Sequence, residues 1–186
     1  MHLAVFSESY EPIVNGVSVC VATLRDGLCR NGHDVTIYAP AFQGHIDNYD
    51  KVVRVPSVRT PLMPWYPWPL PNSPAIEKIF RSSNHELVHT QTPFLLGMMG
   101  LRWSKKKSIP VISTNHTLYT EYVHYAPIRP KSITKGTLRI LMRCYYNQCN
   151  LVVVPSKPVA DILHSYGVTT PMEIVKTGVD PVDFAI

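Results

Sequence analysis

The 186-residue chain carries no GxGxxG turn, no Walker A sequence and no paired CxxC spacing. The first absence argues against NAD or FAD binding by the usual route. Such a turn needs three glycines where backbone meets pyrophosphate, and only Gly16 follows the first apolar run. Cys20, Cys29, Cys144 and Cys149 stand apart, and on one helix Cys20 and Cys29 would lie roughly 13 Å from each other, beyond disulfide reach. Four reduced, partly buried thiols are expected. No uncharged run reaches the roughly 18 residues that span a membrane, and no basic region with a long apolar run opens the chain, so a soluble cytoplasmic protein is expected. Asn115-His116-Thr117 fits the glycosylation triplet, but without a secretory signal it reads as coincidence. Charged residues make up 17% and hydrophobic ones 45%, which excludes disorder and predicts one domain with a full core. There is no internal repeat and no low-complexity tract.

Acids are also missing locally. None falls between Glu121 and Asp161, whereas Arg129, Lys131, Lys135, Arg139, Arg143 and Lys157 all do. If the segment from about Ser132 is helical, Lys135, Arg139 and Arg143 share one face, with Lys131 at its entrance. A solvated face and a contact with phosphate or lipid headgroups both fit this stripe. The formal charge of +5 favours anionic partners without choosing among them.

What is present alternates. Strands are predicted at His2–Phe6, Val35–Ala39, Val52–Val55, Leu87–Gln91, Val111–Thr114, Leu151–Val154 and Glu173–Val175. Helices are predicted at Gly16–Arg30, Ala75–Arg81, from Thr92-Pro93 to Lys105-Lys106-Lys107, at Lys135–Cys149 and at Lys157–Tyr166. Such alternation forces parallel pairing with helices on both faces, hence an α/β, Rossmann-like, doubly wound and mainly parallel sheet. From Pro56 to Pro74 seven prolines surround Trp65, Tyr66 and Trp68, which excludes a long helix or a central strand and predicts a surface excursion. Rings on a proline-stiffened loop suit a membrane interface or the seam under another domain.

Two constellations carry chemistry. Asn15-Gly16 opens the first helix, where backbone N–H groups can receive a phosphate, although a plain glycine turn would look the same. Beyond the strand Val111–Thr114, His116 is followed by Tyr119, Tyr122, His124 and Tyr125. The ends of parallel strands are where ligands bind, so His116 is the candidate hydrogen-bond partner, base or support for developing charge. The aromatic residues supply stacking faces for a sugar or polar headgroup, unless they only pack. His116 and His124 at i, i+8 do not match a zinc motif, and no metal is expected.

Glu8-Ser-Tyr-Glu-Pro, Asn15-Gly16-Val17, Arg30-Asn-Gly-His33, Ser113-Thr-Asn-His116, Val152-Val-Val-Pro-Ser156 and Thr177-Gly-Val-Asp180 occur in order along nearly the whole chain. In this arrangement the chain resembles the N-terminal half of family 4 retaining glycosyltransferases of the GT-B fold. Asn-Gly-Val together with His-Thr-x-Tyr looks most like the members that glycosylate diacylglycerol-type lipids. The resemblance implies that residues 1–186 form the acceptor-side lobe, with the nucleotide-sugar-binding lobe absent, so that the isolated chain lacks appreciable transferase activity. It places Asn15 and Gly16 beside the donor diphosphate and His116 near the transferred sugar. Tyr10, Tyr119, Tyr122, His124 and Tyr125 would border the acceptor entrance. The implied partners are a nucleoside diphosphate sugar as donor substrate, a lipid or sugar acceptor, and an anionic membrane surface met by Trp65, Trp68, Lys135, Arg139 and Arg143. The protein would then lie in the cytoplasm, at the inner face of the membrane. No cofactor and no nucleic acid is expected. A soluble sugar or sugar-phosphate acceptor stays open, and so does a nucleotide- or nucleic-acid-binding module, which the charge permits but no recognition signature supports.

Overall fold

The computed structural model describes residues 1–60, 63–120, 131–176 and 178, and their side chains except at 60, 63–65 and 131–133. Seven strands form one sheet: β1 (His2–Phe6), β2 (Asp34–Pro40), β3 (Val52–Val55), β6 (Leu87–Thr90), β7 (Val111–Thr114), β8 (Leu151–Val154) and β9 (Met172–Ile174). Their order is β3-β2-β1-β6-β7-β8-β9, and every neighbouring pair is parallel. The order runs outward in both directions from β1 and β6, so the loops leaving those two strands diverge and open a crevice at their carboxyl ends.

Both faces of the sheet are covered, as the alternation predicts. Val5, Val35, Ile37 and Ala39 pack with Val21 of α1 (Gly16–Arg30), while Ala4, Phe6, Tyr38 and Val88 belong to a larger core on the other face. That core takes side chains from α2 (Pro74–Ser82), α3 (Leu95–Lys107), α4 (Lys131–Tyr146) and α5 (Lys157–Ser165). At its centre Phe6 stacks on Tyr38 with centroids 4.5 Å apart and meets Trp103 edge-on at 5.9 Å. Gly100 lets α3 approach this closely: a Cβ there would fall 2.8 Å from the Phe6 ring.

The proline-rich segment is not a plain loop. Its prolines keep it out of the main sheet, but β4 (Ser57–Thr60) and β5 (Met63–Pro69) pair antiparallel as a separate ribbon. Three helix boundaries also differ from the sequence expectation by more than one residue. Helix α3 begins at Leu95, which leaves Pro93 outside its first turn. Helix α4 starts at Lys131 and ends at Tyr146, before Cys149. All four cysteines are free thiols, Cys29 and Cys144 exposed and Cys149 buried. No helix among the described residues is long and apolar enough to cross a membrane.

Candidate functional site

Two cavities lie side by side along the carboxyl ends of the central strands. Helix α1 borders both, through Asn15 and Val17 at its start and through Cys20, Thr23, Leu24 and Gly27 farther along. The segments Gln91-Thr92 after β6 and His116-Thr117 after β7 divide them, one residue of each pair lining either side. His116 and the Asn15–Gly16 turn therefore share one rim of the fold.

The smaller cavity, about 470 Å³, is lined by His89, Gln91, Thr114, Asn115, His116 and Lys176 together with α1. The amide oxygen of Gln91 accepts from His116 Nε2 at 2.7 Å. This bond fixes the proton on Nε2 and leaves Nδ1 as the basic atom. Burial lowers the His116 pKa to about 4, so at neutral pH the ring is uncharged. An uncharged ring with its Nε2 proton committed to Gln91 can accept a hydrogen bond or a proton at Nδ1. His89 Nε2 and Thr114 Oγ1 share a 2.7 Å hydrogen bond behind it. Gln91 Nε2 and Asn115 Oδ1 are buried without partners among the described residues.

At the helix start, Asn15 behaves differently from the expectation of an open amide cradle. Its side-chain oxygen accepts from Val17 N–H and Ser18 N–H, both at 3.0 Å, and from Ser9 Oγ at 2.9 Å, while Ser18 Oγ accepts from Asn15 N–H. This capping box consumes the donors that an anion would use. Among the described residues Gly16 N–H alone stays open there, and Gly16 is exposed with free space where a Cβ would stand.

The larger cavity, about 640 Å³, opens at the crevice between β1 and β6. Tyr66, Pro67, Trp68 and Pro69 of β5 form one wall, and Phe94, Leu95, Met98, Tyr119 and Leu141 form much of the rest. The Phe94 and Tyr119 rings meet edge-on at 4.7 Å. Polar atoms are sparse, and the conspicuous one is the carboxyl of Glu8, which is only 4% exposed. Glu8 Oε1 accepts from Leu96 N–H at 2.6 Å and thereby caps α3, a helix with no side-chain cap of its own. Burial raises the Glu8 pKa to about 7, opposed chiefly by the hydrogen bond from the Leu96 amide. Glu8 Oε2 and Thr92 Oγ1, both buried, have no partner among the described residues. Nothing in the sequence around Glu8 reveals a cap 88 positions away, so its place in the site becomes visible only in the fold.

The sequence-selected residues divide as follows. Asn15, Tyr119 and Trp68 come together on the larger cavity, and His116 lies on its neighbour. Tyr10 does not join them: it is fully buried beneath α1, its hydroxyl accepts from Arg25, and Arg25 and Arg54 flank its ring at 5.9 and 5.8 Å. Arg54 also donates to Pro40 O and Glu11 O, so this cluster braces the β1–α1 loop, and Tyr10 is a structural residue rather than an acceptor contact. Arg139 and Arg143 are exposed on α4 as the spacing requires, with Arg139 over the Tyr166 ring at 5.3 Å. Lys135 is half-buried and has an interaction partner. Tyr122, His124 and Tyr125, and the side chain of Trp65, lie outside the described residues.

A family model described as Glycosyltransferase Family 4 matches residues 14–183. An alpha-monoglucosyldiacylglycerol synthase of Streptococcus pneumoniae is 31% identical over 192 residues, covering 99% of this chain and 42% of that protein. A GDP-mannose-dependent alpha-mannosyltransferase of Corynebacterium glutamicum is 30% identical over 176 residues, covering 90% of this chain and 41% of that protein. A second alpha-monoglucosyldiacylglycerol synthase, from Acholeplasma laidlawii, is 28% identical and covers 87% of this chain and 42% of that protein. The chain thus spans about two fifths of the length of these relatives. Among solved structures, a sucrose-phosphate synthase from Thermosynechococcus elongatus superposes with a TM-score of 0.69 at 17% identity, covering 96% of this chain and 48% of that one. That likeness is one of fold, and it agrees with the expected GT-B lobe.

Proposed function

Because the chain belongs to glycosyltransferase family 4, we propose that it is the acceptor-side lobe of an enzyme that moves a hexose from a nucleoside diphosphate sugar to a membrane lipid, with retention at the anomeric carbon. The observation that carries the acceptor is the apolar cavity at the β1–β6 crevice, walled by the β5 aromatic and proline residues and adjoining the His116 cavity. A tail of methylenes gains roughly 0.8 kcal/mol per buried CH₂ in such a space, whereas a soluble sugar phosphate would leave it largely unused. The names of two relatives, both monoglucosyldiacylglycerol synthases, favour the same acceptor class.

In this reading His116 lies against the transferred sugar and accepts a hydrogen bond through Nδ1, with Gln91 fixing the ring. Asn15 orders the start of α1, Gly16 N–H meets the donor diphosphate, and Lys176 adds positive charge at the edge of the His116 cavity. No protein nucleophile and no metal is assigned to this lobe. Exposed Trp68, Arg139 and Arg143, with Lys135, attach the protein to the cytoplasmic face of an anionic membrane, each accessible cation contributing on the order of 1 kcal/mol.

Extraction of the purified protein and mass spectrometry of what it releases test the acceptor. A diacylglycerol-type lipid is expected. Recovery of no lipid, together with saturable binding of a sugar phosphate, refutes the lipid reading in favour of a soluble acceptor. In a preparation that turns over, His116→Ala should lower kcat on the order of 100-fold while leaving acceptor binding intact.

A further inference from the structure

Glu8 occupies a peculiar position. It follows β1 at the topological crevice, it is 4% exposed, and it lines a cavity whose other walls are largely apolar. One carboxyl oxygen is committed to the first turn of α3 at Leu96 N–H. The other, Oε2, is buried and has no partner among the described residues. A cap needs only one oxygen, and a glutamine would supply it. A buried carboxyl oxygen left unpaired loses its solvation without compensation, so its retention here calls for a partner that arrives from outside the fold.

We propose that Glu8 Oε2 accepts a hydrogen bond from the hydroxyl of an acceptor whose apolar body fills the cavity between β5 and α3, so that Glu8 selects a free hydroxyl and positions it. The inference rests on the acceptor-side reading above and adds the residue that reads the hydroxyl. No bond to Glu8 is made or broken. Thr92 Oγ1, the other unpartnered buried atom on this cavity, is placed to complete the polar end of the site.

The contact gives binding a pH signature. The Glu8 carboxyl titrates near 7 because burial outweighs its amide hydrogen bonds, and a hydroxyl donor at Oε2 favours the ionised form. The titratable groups that feel its charge come from three packed elements: Tyr66 on β5, Tyr119 after β7 and Tyr145 on α4. Burial holds all three phenols above their usual range, so none titrates near 7. Acceptor binding should therefore strengthen as pH rises through 7.

The test is calorimetric titration of the protein with dihexanoylglycerol, with its 3-O-methyl ether, and with hexyl glucoside, at pH 6 and pH 8. Wild type should bind one of the hydroxyl compounds about tenfold more tightly than the ether at pH 8, the scale of a hydrogen bond to a charged group, and lose most of that preference at pH 6. The first and third compounds distinguish a glycerol hydroxyl from a sugar hydroxyl. Glu8→Gln keeps an oxygen for Leu96 and should melt near wild type, yet bind hydroxyl and ether alike at both pH values. Equal preference and equal pH dependence in wild type and E8Q would overturn the assignment and leave the lipid-acceptor reading standing, with Glu8 a helix cap. Failure of wild type to bind any of the three would overturn both. If E8Q unfolds, the wild-type comparison of hydroxyl with ether across pH decides alone.

Discussion

Replacing Gly97 by alanine should damage the fold more than any other small-to-small change in α3. A Cβ at 97 would lie 1.7 Å from the carbonyl oxygen of Thr92 and 2.9 Å from the Tyr145 hydroxyl. The first obstacle is backbone, so no rotamer change relieves it. The second is held in place, because Tyr145 donates to Thr90 Oγ1 at 2.7 Å. Helix α3 and the segment after β6 would have to separate by more than 1 Å, roughly, to restore ordinary contact. Overpacking costs about 1–3 kcal/mol when side chains can adjust, and a backbone obstacle puts this case at about 3 kcal/mol or above. For a domain of this size each kcal/mol moves Tm by roughly 2–4 °C, which gives a fall of roughly 6–12 °C. Thermal unfolding followed by circular dichroism measures it. Gly136→Ala in α4 is the control, since a Cβ there meets nothing within 4 Å, and it should stabilise by about 0.5–1 kcal/mol. A Gly97→Ala protein that melts within 2 °C, roughly, of wild type would refute the packing argument.

Acid should weaken the fold steeply. His85, His89 and His116 are held neutral to about pH 4 by burial, so between the ordinary histidine value and 4 the unfolded chain takes up protons that the native one refuses. Their stabilisation is complete above about pH 6.5 and is lost as pH falls towards 4. Glu8 acts in the opposite sense, costing stability as pH rises from 4.5 to 7. Three protons less one predict a net slope of roughly 3 kcal/mol per pH unit near pH 5.3, measurable by urea titration, and a flat profile there would contradict the burial of these rings. Lys107→Ala should cost about 1 kcal/mol, because its ammonium donates to Arg81 O and Ser83 O at the end of α2. Lys106→Ala, which removes only a surface pair with Glu77, should cost no more than about 0.5 kcal/mol, and equal effects in chemical denaturation would refute the distinction. In a thiol titration of native protein, Cys29 and Cys144 should react first, while Cys149, buried with its thiol raised to about 12, should react only after unfolding.

The sheet was legible because its code is local. Apolar runs such as Leu151–Val154 and stops such as Asn31-Gly32, where Gly32 takes φ 77°, declare themselves in a few residues. His116 was legible for the same reason, as the polar residue just beyond a strand. The ribbon β4–β5 was not, since prolines that bar a segment from a central strand say nothing about its pairing with itself. Helix α3 misled at its start because Pro93 looked like a first-turn proline, whereas the first-turn cap comes from Glu8. Tyr10 misled for a related reason: its place in a polar motif suggested a ligand contact, but Arg25 and Arg54 claim it. For α3 and for Tyr10 the deciding partner stands well away in the chain.

The ribbon that walls the larger cavity is tied to the main sheet through Ser57 Oγ, which accepts from Ala41 N–H just after β2 and donates to Val55 O of β3, and among the described residues it shares no ladder with that sheet. Width at that mouth is consequently governed by a flap whose sequence can drift while the seven-stranded platform keeps every one of its rungs. A lineage could broaden or narrow what enters simply by exchanging residues at 66–69, and His116, seated across the partition, would keep its surroundings.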